Sequence, residues 1–229
     1  MNQPGVADIG AAFNWTFKKL GQHPQIFLLA LPVVLLSLVQ FFVNRAIIDS
    51  VDDCNISDDF SSIDCGASFF TTILIAIGVG IVFGILIYIV QIGIYRAALK
   101  MTRGEAPDLA HLTSTENVGP YILTSIVTGV CIIAGTLACV IPGIIAAFFL
   151  AFAPMVSLDT GASIGDAFRT SVDIAKRNLV PMIVLVIVIV AASWLGSLLF
   201  GILWLITLPI QSLLVANVYR QGNGEVVAP

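Results

Sequence analysis

Two stretches of this 229-residue chain, Asn117 to Leu158 and Asn178 to Tyr219, run for 42 residues each without an Asp, Glu, Lys, Arg or His. A helix needs only about 20 residues to cross the hydrocarbon of a bilayer. As one helix, either stretch would be roughly 63 Å long at 1.5 Å per residue, about twice the hydrocarbon thickness. Each must fold back once. Two shorter uncharged runs, Leu20 to Asn44 and Cys65 to Tyr95, precede them. With 58% hydrophobic residues, 10% charged and a mean hydropathy of +1.02, the chain lies outside soluble usage, where charged residues are about 25%. It reads as an integral membrane protein.

The fold-back points follow from turn chemistry. Pro142-Gly143 removes a backbone donor and permits a turn, which predicts spans over Val118 to Val140 and Ile144 to Leu158. Ser193 to Gly201 is the natural middle of the second stretch, with Trp194 as an interfacial anchor. Adding spans near Gln25 to Asn44 and Phe69 to Tyr95 gives the expected fold class: all-α, a single polytopic membrane domain over 1–229 with six transmembrane helices in hairpins. Met1 to Gln22 lacks the apolar core and cleavage site of a signal peptide.

Basic residues resist translocation, so their distribution orients the spans. Lys18, Lys19, Arg96, Lys100, Arg103, Arg169, Lys176, Arg177 and Arg220 fall on one side of the six spans, and Arg45 falls on the other. Both termini are expected on the cytoplasmic side.

The run "SIGDAFRTSVDIAKRN" from Ser163 divides on a helical wheel. Ile164, Ala167, Phe168, Val172 and Ala175 share one arc, and Asp166, Arg169, Asp173, Lys176 and Arg177 the other, the pattern of a helix lying in the membrane surface. Ser163 is placed to cap its N-terminus. The start of the chain shows the same division, and "IGAAF" at Ile9 to Phe13 returns as "IGDAF" at Ile164 to Phe168. Likewise Tyr95-Arg96 with Gly104-Glu105 echoes Tyr219-Arg220 with Gly224-Glu225, and "APDLAHLTSTENVGPY" reads as a weaker interfacial helix. These echoes predict three parallel units, about 6–106, 107–162 and 163–229, each an interfacial amphipathic helix followed by a transmembrane hairpin.

The run "FLAFAPMVSLDTGASIGDAFRTSVDIAKRNLVPMIVLVI", together with "RGEAPDL", resembles the six-helix membrane domain attached to some bacterial glycerophosphodiester phosphodiesterases, and related stand-alone bacterial membrane proteins. The resemblance implies six spans with interfacial helices in a bacterial inner membrane. It implies no phosphodiesterase activity, because those enzymes carry the chemistry in a separate soluble domain.

The loop over 46–66 carries Asp49, Asp52, Asp53, Asp58, Asp59 and Asp64 with no base after Arg45. Its spacing departs from the calcium loop of an EF-hand, and the acids suit solvation or docking of a basic partner. Cys54 and Cys65 flank ten residues of this loop on the side where disulfides persist, and a bond there is expected. Cys131 and Cys139 read as packing residues, and His23 and His111 as polar tips at the cytoplasmic surface. No nucleophile triad, phosphate loop or zinc cluster is present in the sequence, and basic residues are too scattered for nucleic acid. No catalytic residue, metal site or cofactor is expected.

Helix packing has its own pattern. Gly80 with Gly84, Ala147 with Ala151, and Ser193 with Ser197 and Gly201 offer small-residue grooves to neighbouring helices. No ionisable residue is expected within the hydrocarbon, which disfavours a proton-coupled transporter. The expected function is a non-catalytic accessory or scaffold subunit of a larger membrane complex, respiratory or envelope-building, partnered by other membrane subunits and by lipids. The alternative is a lipid-binding or lipid-transporting protein.

Overall fold

The computed structural model describes residues 5–49, 55–56, 63–64, 66–108, 114–197 and 202–229. Nine helices are described: α1 (Ile9–Gln22), α2 (Ile26–Asp49), α3 (Gly66–Thr102), α4 (Val118–Ala138), α5 (Val140–Phe149), α6 (Ala153–Thr160), α7 (Ile164–Arg177), α8 (Leu179–Ser197) and α9 (Trp204–Gly222). Between α2 and α3, β1 (Asn55–Ile56) pairs antiparallel with β2 (Ile63–Asp64). Among the described residues, five helical segments are long and apolar enough to cross a membrane: Ile26–Ile47, Thr71–Thr102, Val118–Ala138, Val140–Thr160 and Leu179–Ser197.

The first fold-back differs from the sequence expectation by three residues. Cys139 is the turn, extended at φ −172°, and α5 begins at Val140. Pro142 and Gly143 therefore lie inside the first turn of α5, where a proline's missing N–H is an orphan in any case. The glycine serves close approach: a Cβ on Gly143 would stand 2.0 Å from Thr136 Oγ1 and 2.8 Å from Thr136 N. α8 ends at Ser197 and α9 begins at Trp204, so the expected second turn, Ser193 to Gly201, falls partly on residues 198–201, which lie outside the described residues.

The fourth expected span is interrupted, because Pro154 cannot donate to the carbonyl one turn back. The helix stops at Phe149 and restarts at Ala153. Ser171 of α7 repairs the gap, donating from Oγ to Phe149 O (2.8 Å) and accepting from Phe152 N–H (3.1 Å).

Burial is concentrated at one end of the bundle. Buried residues of α2 lie between Ile26 and Val34, those of α3 between Ile92 and Thr102, and those of α4 between Tyr121 and Thr128. Leu150 to Leu158 and most of Leu208 to Arg220 complete this core. α9 runs through its middle and packs on α8, α3, α2, α1 and α7. Its Gln211, Ser212, Asn217 and Arg220 depress its hydropathy below that of the other five, and all four are buried in protein rather than exposed to lipid.

α1 and α7 are both 14-residue helices. Asp8 caps α1 by accepting from Ala11 N–H (2.9 Å), and Ser163 caps α7 by accepting from Asp166 N–H (3.3 Å). α7 lays its apolar arc on α6 and neighbouring helices and leaves Asp166, Arg169, Asp173, Lys176 and Arg177 exposed. In the segment expected to form the weaker interfacial helix, residues 106–108 and 114–117 are coil or turn and 118–121 open α4; residues 109–113, with His111, lie outside the described residues.

Candidate functional site: a buried ion network at the base

Three helix ends meet at the base of the bundle. α3 ends with Thr102, α6 carries Asp159 in its last turn, and α9 carries Tyr219 and Arg220 in its last turn. Arg220 donates from Nη2 to Asp159 Oδ1 (2.9 Å), from Nε to Thr102 Oγ1 (3.1 Å) and from Nη1 to Glu225. Arg103 donates to the same Asp159 oxygen (2.7 Å), and the Tyr219 hydroxyl donates to Asp159 Oδ2 (3.3 Å). The side chains of Asp159 and Arg220 are each 3% exposed, whereas Arg103 is 48% and Glu225 39% exposed. Two fully desolvated charges thus each hold a second, partly solvated counter-charge. This satisfies the requirement that buried ions be paired and hydrogen-bonded.

Local capping brings the groups together. Gly104 and Gly224 both have positive φ, +90° and +78°. After each glycine a backbone bond closes on the helix end: Glu105 N–H donates to Lys100 O (3.1 Å) and Glu225 N–H to Arg220 O (2.9 Å). The same geometry pairs the side chains, Lys100 with Glu105 at 3.6 Å and Arg220 with Glu225. The structural counterpart of Arg220 is therefore Lys100, whereas the sequence echo aligns Arg220 with Arg96.

Arg96 has a different role. It is 5% exposed and donates to the carbonyls of Ser114 and Glu116, tying the chain before α4 to α3. Asn117, at positive φ, donates to Leu158 O (3.2 Å), and its Oδ1 would stand 2.8 Å from a Cβ on Gly161. Thr124 and Ser157 share a buried hydrogen bond of 2.7 Å. Asn178, at the end of α7, accepts from Ala7 N–H (2.6 Å) and donates to Gly5 O (3.0 Å), which ties the start of the chain to the base.

These arrangements fix helix ends and bring no nucleophile against a base. Among the described residues no group of three His, Cys, Asp or Glu side chains is placed to hold a metal ion.

The residues singled out in the sequence lie elsewhere. Asp49 ends α2 and Asp64 lies in β2, while Asp52, Asp53, Asp58, Asp59, Cys54 and Cys65 lie outside the described residues. A Cβ on Gly80 or Gly84 would meet nothing within 4 Å, so no described helix is packed against either glycine. Ala147 and Ala151 are exposed, the second within the helix break. Ser193 accepts a long hydrogen bond from Gln211 (3.4 Å), Ser197 is exposed, and Gly201 lies outside the described residues. The close approach of α8 to α9 is at Gly196, where a Cβ would stand 2.9 Å from Thr207 Oγ1. Sequence reasoning missed Asp159 because an acid closing an apolar run reads as a solvated boundary.

Residues 67–228, which include every member of the ion network, match a family described as a domain of unknown function, DUF7847. The chain belongs to the DUF7847 family. Relatives of this DUF7847 chain include uncharacterised proteins of Mycobacterium bovis and of two strains of Mycobacterium tuberculosis. Each is 24% identical over 230 residues, covering 96% of the chain and 70% of the relative. No solved structure matches it.

Proposed function

We propose that this DUF7847 protein is a non-catalytic accessory or scaffold subunit of a larger membrane complex. The observation that carries this reading is the uncovered apolar surface at the end of the bundle away from the ion network. In the most apolar part of α3 no residue is buried, and Leu74, Ile77, Ile81, Val82 and Ile85 share one exposed face of the helix. Leu137, Val140, Ile141 and Ile144 at the α4–α5 turn are exposed likewise. The accessible surface of the chain is 12597 Å², against about 10,000 Å² for a compact protein of this mass. Such faces suit neighbouring membrane helices, with lipid filling the remainder.

In this reading α9 is a sixth span sheathed by the other five, and both termini are cytoplasmic. The chain is built from three units. The matched lengths and caps of α1 and α7, and the matched helix ends at Gly104 and Gly224, support the repeat. The acidic loop contributes a docking charge on the opposite side.

The test is mild-detergent purification from the native membrane with mass-spectrometric identification of what accompanies the protein. A stoichiometric protein partner is expected. Replacing Asp52, Asp53, Asp58 and Asp59 with Asn should weaken that association most at low ionic strength, and unchanged co-purification removes the loop from the interface. A second reading, lipid binding, is favoured by the hydroxyl of Thr128, which is buried without a hydrogen-bond partner among the described residues. Purification without a protein partner but with one retained lipid class selects it.

A further inference from the structure

After α9 the chain turns at Gly224 and runs back across the base. Besides the backbone bonds that close the end of α9, four directional contacts hold it there. Glu225 pairs with Arg220, Ala228 N–H donates to Thr102 O (2.9 Å), Trp15 Nε1 donates to Ala228 O (2.6 Å) and Lys19 Nζ donates to Pro229 O (2.6 Å). Lys19 also lies over the Trp15 ring, 5.8 Å from its centroid. The segment thus joins the ends of α9 and α3 to α1, three elements far apart in sequence.

Apolar burial contributes little to this attachment. Asn223, Gly224 and Glu225 are exposed, Val226 is 93% exposed, and only Val227 and Ala228 are half-buried. The helix from which the segment departs is buried almost throughout its length. Segments with few buried apolar contacts open at low free energy while the core beneath them stays closed. The segment also forms one wall of a cavity of about 570 Å³, whose other walls include Val6, Ala11 and Trp15 on one side and Asn217 and Gln221 of α9 on the other. That volume falls within the range of ligand sites, about 300–1,000 Å³.

We propose that Asn223–Pro229 is a displaceable lid over this cavity, hinged at Gly224 and latched by the Glu225–Arg220 pair. Glu225 suits a latch because it is the partly exposed partner. On its removal Arg220 still holds Asp159 and Thr102, so no buried charge is stranded. With the lid away, the cavity opens and Lys19 loses its carbonyl partner. The ammonium of α1 is then available at the cytoplasmic face.

The experiment is hydrogen exchange by mass spectrometry on the full chain in detergent, comparing wild type with Glu225→Ala. The peptide over 223–229 should exchange at least about tenfold faster in the variant, while a peptide within 207–217 keeps its protection. Unchanged exchange of the 223–229 peptide would show that Glu225 is no latch. Equal loss of protection in both peptides would show that the segment belongs to the core, and either result overturns the proposal. Trp15→Phe removes only the clasp at the far end of the lid. It should speed exchange at Ala228 in the same way, and it carries the test by itself if Glu225→Ala does not fold.

Discussion

Asp159 and Arg103 make the same kind of contact on paper, yet their removal has unequal consequences. Asp159→Ala withdraws the buried counter-charge of Arg220. Breaking a buried pair from one side costs about 3–5 kcal/mol. Arg103 is 48% exposed, and Arg103→Ala should cost no more than about 1 kcal/mol. Thermal denaturation in one detergent should therefore rank Asp159→Ala far below Arg103→Ala. Equal melting temperatures would mean that Arg220 is adequately served by Glu225 alone. Glycines divide in the same way. Gly143→Ala places a methyl against Thr136 and should cost about 1–3 kcal/mol or more, as overpacking does. Gly129→Ala meets nothing within 4 Å and should be neutral or slightly stabilising. Neither distinction is written in local sequence, because the neighbour that decides it is brought in by a turn or by another helix.

The break between α5 and α6 depends on a side chain from α7. Ser171→Ala leaves Phe149 C=O and Phe152 N–H without their partner, at about 1–3 kcal/mol for each group stranded in the interior. Denaturation should report that loss, and Ser171→Thr, which keeps the hydroxyl, should recover part of it. The loop between α2 and α3 yields a separate expectation. The pairing of Asn55 with Asp64 sets side by side the sequence neighbours of Cys54 and Cys65. Non-reducing peptide mapping of protein from oxidising conditions is expected to recover the two cysteines in one linked fragment; recovery of separately alkylated thiols counts against the bond. The helices themselves were legible in sequence because uncharged length and amphipathic periodicity are local properties. Ser163 announced its cap, whereas Pro154 did not announce an interruption, since Pro32 and Pro209 lie inside unbroken helices. The turn at Cys139 was not legible, since a Pro-Gly pair serves a turn and the first turn of a helix equally well.

For the whole molecule, sequence length sufficed to indicate folded-back membrane helices, but not where they hold together. That depends on α9, whose polar residues make it the least membrane-like of the long helices and the most enclosed. Lipid exposure selects hydropathy, whereas enclosure by protein releases a helix from that demand. Hydropathy is therefore a guide to perimeter helices and a poor one to a central helix, whose place here shows only in uncharged length.

Fixation at one end makes the α2–α3 pair a cantilever. Among the residues whose burial is described, α3 is buried nowhere before Ile92 and α2 nowhere after Val34. Ile87, Tyr88 and Val90 still pack against the core, so residues 66–86 of α3 reach roughly 32 Å past that support at 1.5 Å per residue, and a tilt of about 5° at the base carries the tip about 3 Å sideways. Whatever touches the far tip therefore meets an amplified copy of small changes at the clamped end. At that clamped end α3 is held through Thr102 and Arg103, which bond to Arg220 and Asp159.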